Sequence, residues 1–172
     1  MIFQTSRLLI RQLTYEDFKP FHEMQNNFNV MQYASGKAQS LEENKADLKK
    51  VIDHYSEKNN GFWVWAIERK SDQELIGTAA IIIDEKNEGE VGYRLLEKHW
   101  GNGYASEILK DLINFGFEKM KLKAIHANVD VRNIASVKML DKSVLEFIGE
   151  EWNEDFQSND RFYRLEKQAA PL

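Results

Sequence analysis

Cysteine is missing altogether from this 172-residue chain. Disulfides, thiolate metal sites and any route through an acyl-cysteine are thereby excluded. Histidine is sparse: His22, His54, His99 and His126 are scattered, with no i, i+4 ligand pair, so no metal is expected, and His99 and His126 read as surface or strand residues. Basic residues are outnumbered, 23 Lys and Arg against 28 Asp and Glu, for a formal net charge of -5. That argues against general affinity for nucleic acid, which needs a basic face, and is compatible with an amine partner. Long apolar runs are also lacking. The longest, Ala79 to Ile83, is far too short to span a bilayer. The opening residues show no basic leader followed by an apolar stretch, so a cytoplasmic protein without membrane contact is expected. Proline is scarce and hydrophobic content ordinary, which disfavours disorder. The expectation is one domain over residues 1–168, large enough for a real core, with a tail at 169–172.

What is present is a mixed pattern of helix and strand periods. Arg7 to Arg11 reads as a strand. Thr14 reads as a helix N-cap, followed by a stripe of Tyr15, Phe18, Phe21 and Met24. Asn26 to Gln39 reads as a polar loop. Ser40 and Glu43 form a capping box that opens an amphipathic helix to Tyr55. Strands follow at Phe62–Ile67 and Leu75–Ile83, the second apolar enough to be buried on both faces. A hairpin turn at Lys86–Gly89 leads to a strand at Glu90–Leu96. A helix from Tyr104 to Met120 and a strand at Ala124–Asp130 imply a parallel pair joined by a crossover. A short helix from Asn133 to Lys142 and strands at Val144–Gly149 and Asp160–Glu166 close the chain. The fold class is α/β, a mixed sheet with flanking helices.

Between strand and helix lies Trp100-Gly101-Asn102-Gly103-Tyr104-Ala105-Ser106-Glu107. Two glycines permit a sharp turn, and the amides that open a helix lack partners inside it. Such a turn holds anions through free donors and the helix dipole. It reads as a pyrophosphate cradle, or as a tight turn with no ligand. The dinucleotide fingerprint does not fit, because the third glycine is absent and the glycines come late. Nor does the Walker loop, since no Gly-Lys-Ser/Thr follows.

These residues resemble the GNAT superfamily of acetyl-CoA-dependent N-acetyltransferases. The resemblance rests on Glu90-Val91-Gly92-Tyr93, on Trp100-Gly101-Asn102-Gly103-Tyr104-Ala105 with Glu107, on Asn133-Ile134-Ala135-Ser136, and on the opening Thr5 to Arg11. Trp100, where most members carry Gln or Arg, resembles the branch that acetylates the N-termini of ribosomal proteins. The resemblance implies a GNAT-like fold, in which strands Glu90–Leu96 and Ala124–Asp130 splay apart around the pantetheine arm of acetyl-CoA. It implies that the backbone near Leu95 pairs with pantetheine, and that Gly101, Asn102, Gly103, Tyr104, Ala105 and Ser106 hold the pyrophosphate beside Trp100. Asn133 would contact the cofactor, and Ser136 would lie near its sulfur. Asn133 and Ser136 read equally well as a helix cap and a first-turn polar residue.

The implied reaction is attack of a neutral amine on a thioester carbonyl. Glu90 is the candidate base, and reads equally as a solvated carboxylate past a hairpin. The Tyr that many members use as general acid corresponds here to Leu140, which leaves Ser136 as substitute. Val144 replaces a usual Gly and implies an altered turn. Tyr33, Trp63, Trp65 and Trp152 are candidate pocket aromatics or core residues. Loops Asn26–Gln39 and Glu151–Asn159 are the expected seats of specificity. The first expectation for the acceptor is a peptide or protein N-terminal amine, with a small amine such as a polyamine, amino acid or antibiotic beside it. The alternatives are a CoA-binding sensor without turnover and a phosphate-binding domain for another nucleotide. Monomer and homodimer both fit.

Overall fold

Alternating residues on the central strands go to two different cores. Trp65, Ile67 and Ile76 join one cluster, while their neighbours Ala66 and Leu75 join another. This follows from the two-residue period of a strand whose faces are both covered.

The computed structural model describes residues 1–167, so the predicted tail lies outside the described residues. The chain begins with β1 (Phe3–Gln4) and β2 (Leu8–Arg11), then α1 (Phe18–Gln25), α2 (Phe28–Met31) and α3 (Leu41–His54). Next come β3 (Phe62–Arg69), β4 (Glu74–Ile83), β5 (Glu88–Leu95) and α4 (Tyr104–Glu118). It ends with β6 (Ala124–Asp130), α5 (Ile134–Leu140), β7 (Glu146–Asn153) and β8 (Ser158–Glu166). All strands lie in one mixed sheet, in the order β1-β2-β3-β4-β5-β6-β8-β7. Phe21 and Met24 of α1 and Leu48 and Val51 of α3 cover one face. Ile108 and Leu112 of α4 and Val137 and Leu140 of α5 belong to the other core. No helix among the described residues is long and apolar enough to cross a membrane.

The predicted α/β mixed sheet with splayed strands is what the chain adopts. β5 and β6 pair in parallel only at Glu88–Glu90 with Ala124–His126. Beyond that rung β5 keeps its ladder to β4 as far as Leu95, and β6 keeps its ladder to β8 as far as Asp130. The facing edges of Val91–Leu95 and Ala127–Asp130 are therefore left apart.

Several boundaries differ from expectation. The hairpin turn predicted at Lys86–Gly89 falls earlier, so β5 starts at Glu88. Asp84 decides this: its Oδ1 accepts from the amides of Lys86 and Glu88, each at 2.9 Å. Strand Val144–Gly149 becomes β7 at Glu146–Asn153. Most of the Glu151–Asn159 segment is thus hairpin, with Asn153 Oδ1 accepting from Asp155 N at 3.1 Å in its turn. The Asn26–Gln39 loop contains α2, started by Asn27, whose side chain accepts from Asn29 N. The capping box at Ser40 and Glu43 forms as read. β4 is buried on both faces only from Leu75 to Ala79; Ile82 near its end is 37% exposed.

Candidate active site

The gap between β5 and β6 opens into a cavity of about 500 Å³. Its walls come from both faces of the sheet: Gln25, Thr78, Glu90 and Arg94 on the α1–α3 side, and Tyr93 and Ser136 on the side of α5. Strand alternation explains the division. Val91, Tyr93 and Leu95 point into the core beneath α4 and α5, so Glu90, Gly92 and Arg94 point the other way.

At the end of β5 the chain makes a short 3-10 turn, Glu97–His99, and enters the glycine turn. Gly101 and Gly103 have φ of +75° and +76°, a region that residues with a Cβ avoid. The amides of Gly101 through Ser106 donate to no protein acceptor among the described residues; the first amide of this run to do so is Glu107 N, to Gly103 O at 3.2 Å. A row of free donors ahead of a fifteen-residue helix is an arrangement that can accept an anion. Gly101, Asn102, Gly103 and Ser106 are exposed, whereas the Tyr104 ring is buried and Ala105 is half-buried. Tyr104 and Ala105 therefore offer backbone only.

The turn is pinned from three directions. The Trp100 indole Nε1 donates to Leu95 O at 3.0 Å, so one lone pair of the carbonyl expected to meet pantetheine is already in use. Asn102 Nδ2 donates to His99 O and Trp100 O, at 3.0 and 3.1 Å. The third tie comes from the far end of the chain. Glu107 accepts from the Thr5 hydroxyl, from Ser6 Oγ at 3.0 Å, from Arg7 N at 2.9 Å and from Arg7 Nε at 2.7 Å. Arg7 Nη1 in turn donates to Asn102 O at 2.9 Å, and its guanidinium carbon stands 4.4 Å over the Tyr104 ring. Burial pushes the Glu107 carboxyl up, but the bonds from Thr5, Arg7 and Ser6 outweigh it and hold the pKa at about 2. Sequence reading noted Thr5–Arg7 and Glu107 separately. Their contact spans a hundred positions and has no local signal.

Glu90 stands on the last shared rung, opposite His126, where the strands part. It is half-buried, lines the cavity and has no ion-pair partner among the described residues. Asn133 caps α5, its side chain accepting from Ser136 N at 3.3 Å, and it also lines the cavity. Ser136 Oγ lies 3.0 Å from the Tyr93 hydroxyl. Burial pushes the Tyr93 phenol up, only partly offset by the bond to Ser136, so it is held protonated at neutral pH. Arg94 is the site residue that sequence reasoning missed, and Tyr93 was read as part of the motif Glu90–Tyr93 without a chemical role. Both lay within the strand already named, but which face each took was not read. Leu140 is buried and lines the same cavity.

Other candidates disperse. Tyr33 lines the cavity, and its hydroxyl donates to Arg132 O at 3.2 Å. Trp65 is core at 1% exposure; Trp63 stacks between Trp65 and Tyr55; Trp152 lies exposed on β7. Residues of Asn26–Gln39 line the cavity, whereas none of Glu151–Asn159 does. His99, expected at the surface or on a strand, is buried in the 3-10 turn with Nε2 3.3 Å from Glu74 Oε1. Among the described residues no cluster of three or more His, Asp or Glu is placed to hold a metal.

Parted parallel strands beside a free-amide turn are the geometry implied by the acetyltransferase resemblance. The model of the acetyltransferase (GNAT) domain matches residues 7–144. The chain belongs to the GNAT acetyltransferase family. Enzymes of this family take the acetyl group from acetyl-CoA. An uncharacterized N-acetyltransferase of Bacillus subtilis, YoaA, is 32% identical over 144 residues, covering 82% of this chain and 80% of that protein. The spermidine N-acetyltransferase of Vibrio cholerae, solved with CoA and spermine, superposes with a TM-score of 0.81 at 22% identity, covering 94% of this chain and 96% of that one. RimL, a ribosomal L7/L12 α-N-protein acetyltransferase solved with CoA, also gives 0.81, at 17% identity, covering 96% and 97%. At such identities the two structures speak for the fold of this GNAT chain and not for its acceptor.

Proposed function

We propose that the protein transfers acetyl from acetyl-CoA to a primary amine by direct attack, with both substrates bound together. What supports this reading is that Glu90 and the Tyr93–Ser136 pair line one cavity from opposite faces of β5. Glu90 faces the α1–α3 half of the cavity, where an acceptor enters. The Tyr93–Ser136 pair faces the other half, at 3.0 Å from each other. The free amides of Gly101–Ser106 seat the pyrophosphate, with Trp100 bracing the turn and Asn133 at the cavity wall. From Leu95 back to Glu90 the strand runs five residues, about 16 Å, a span suited to an extended pantetheine arm.

Each group then has one task. Glu90 takes the proton that the amine must lose as the N–C bond forms, directly or through water. An α-amine, with a pKa of about 8, needs less help than a lysine at about 10.4. As the C–S bond breaks, the Ser136 or Tyr93 hydroxyl donates to the leaving sulfur. This pair supplies the hydroxyl that Leu140 lacks, and so favours turnover over a sensor. A peptide N-terminal amine remains the first acceptor class by resemblance. The spermidine enzyme among the structural neighbours keeps small amines beside it.

The test is thiol release from acetyl-CoA across a panel of amines, with CoA affinity measured in parallel. Release with at least one amine is expected. Tight CoA binding without release from any of them would turn the reading to a sensor.

A further inference from the structure

Arg94 is a charged group in the cavity that the acetyl-transfer scheme does not use. It sits two residues beyond Gly92 on the acceptor face, half-buried. Its guanidinium makes one side-chain hydrogen bond, from Nη1 to Gln25 Oε1 at 3.1 Å. No carboxylate lies within ion-pair distance of it among the described residues, although every other buried or half-buried arginine of the sheet has one. Gln25 is itself 1% exposed, and its Nε2 has no hydrogen-bond partner among the described residues. An enclosed guanidinium with most of its donors idle, beside an idle amide, is an unfavourable arrangement unless something completes it. Burial lowers the guanidinium's pKa, against the pull of Asp47 on α3. Asp47 and Lys50 line the same cavity, and neither occupies the Arg94 donors.

Resting on the acetyltransferase reading above, we infer that the acceptor amine carries a carboxylate, bound by Arg94 and Gln25. A guanidinium presents paired N–H groups that match the two oxygens of a carboxylate. Gly92 stands between Glu90 and Arg94, and a Cβ built there would meet nothing within 4 Å, so the path between base and guanidinium is open. Glu90 and Arg94 lie four residues apart, about 13 Å along the strand; the reach of both side chains and of a bridging water shortens the gap to the scale of a small amino acid or the first residues of a peptide. The carboxylate is the acceptor's own or an acidic side chain just behind a peptide N-terminus. A polyamine would place positive charge against Arg94, and is disfavoured.

The test pairs acids with their uncharged counterparts. β-Alanine is compared with β-alaninamide, and C-terminally amidated alanyl-glutamate with amidated alanyl-glutamine; spermidine is the polycation. Thiol release gives kcat/KM, and calorimetry on the protein saturated with CoA gives affinity for the same amines without turnover. At least one acid is expected to exceed its amide by about tenfold or more in both measurements, as charge-assisted hydrogen bonds imply; which pair responds identifies the source of the carboxylate. Arg94→Gln and Arg94→Met are expected to erase that ratio with CoA affinity unchanged, and Arg94→Met to melt no lower than the parent. Equal use of acid and amide, a preference surviving in Arg94→Met, or spermidine as best substrate overturns the inference. Absence of thiol release with a calorimetric acid preference retained sinks the catalytic reading alone.

Discussion

Glu107→Gln separates charge from shape at the clamp that ties the chain's opening to the cofactor turn. The glutamine keeps the length of the side chain but loses the ion pair with Arg7, 2.7 Å in the parent. Folding lowers the Glu107 pKa from an ordinary 4.5 to about 2. At about 1.4 kcal/mol per pH unit the ceiling is about 3.4 kcal/mol. Arg7 is 47% exposed in its side chain, and screening on that side reduces the expected contribution to about 1–2 kcal/mol. For a chain of this size that is a fall of roughly 2–8 °C in Tm at pH 7. The sign follows from a depressed carboxyl: its stabilisation is complete above the unfolded value near 4.5 and fades as pH drops from there toward 2. Urea unfolding of parent and variant between pH 7 and pH 3 therefore gives two stability curves that converge on the acid side. Because Arg7 also holds Asn102 O, CoA affinity is expected to weaken several-fold in the variant. A stability gap that stays constant down to pH 3, or no gap at pH 7, would refute the clamp.

Gly103→Glu places a carboxylate in the anion seat and a Cβ at φ +76°, with backbone strain of about 1–2 kcal/mol. Calorimetry on the folded variant is expected to find no CoA binding, and unchanged affinity would remove the cradle from Gly101–Ser106. Ser136→Ala and Tyr93→Phe are each expected to lower kcat by about tenfold, and the double variant by less than the product of the two, because the hydroxyls are in contact and act as one donor, with acetyl-CoA affinity nearly constant; full activity in the double variant would exclude this pair from the leaving-group step. Gly77→Ala tests the close β4–β5 pairing, since a Cβ there would lie 2.1 Å from Arg94 O and 2.8 Å from Leu95 Cδ2. Overpacking two backbones this close is expected to destabilise by about 3 kcal/mol or more in urea titration, and a neutral result would contradict the β4–β5 register.

Local rules made much of the chain legible. The Ser40–Glu43 capping box, the strand content of Phe62–Ile67 and the positive-φ glycines after Trp100 all depend on residues within a turn of one another. Near-neighbour chemistry also set the errors. Asp84 moved the hairpin by capturing two amides, and Asn153 did the same between β7 and β8. Neither shift is visible in hydrophobic period, because each arises from a side chain competing for backbone donors.

The order of residues by itself determined the α/β pattern, the cysteine-free chemistry and the turn that leaves a row of amides free, since each is written in contacts a few positions long. Only the tertiary structure decided that Glu107 would gather Thr5, Ser6 and Arg7, that Tyr93 would meet Ser136, and that Arg94 would be enclosed without a carboxylate. Those pairings join residues far apart along the chain. They exist because the sheet brings distant elements side by side and turns alternate side chains of a strand to opposite faces, a geometry that no local period encodes.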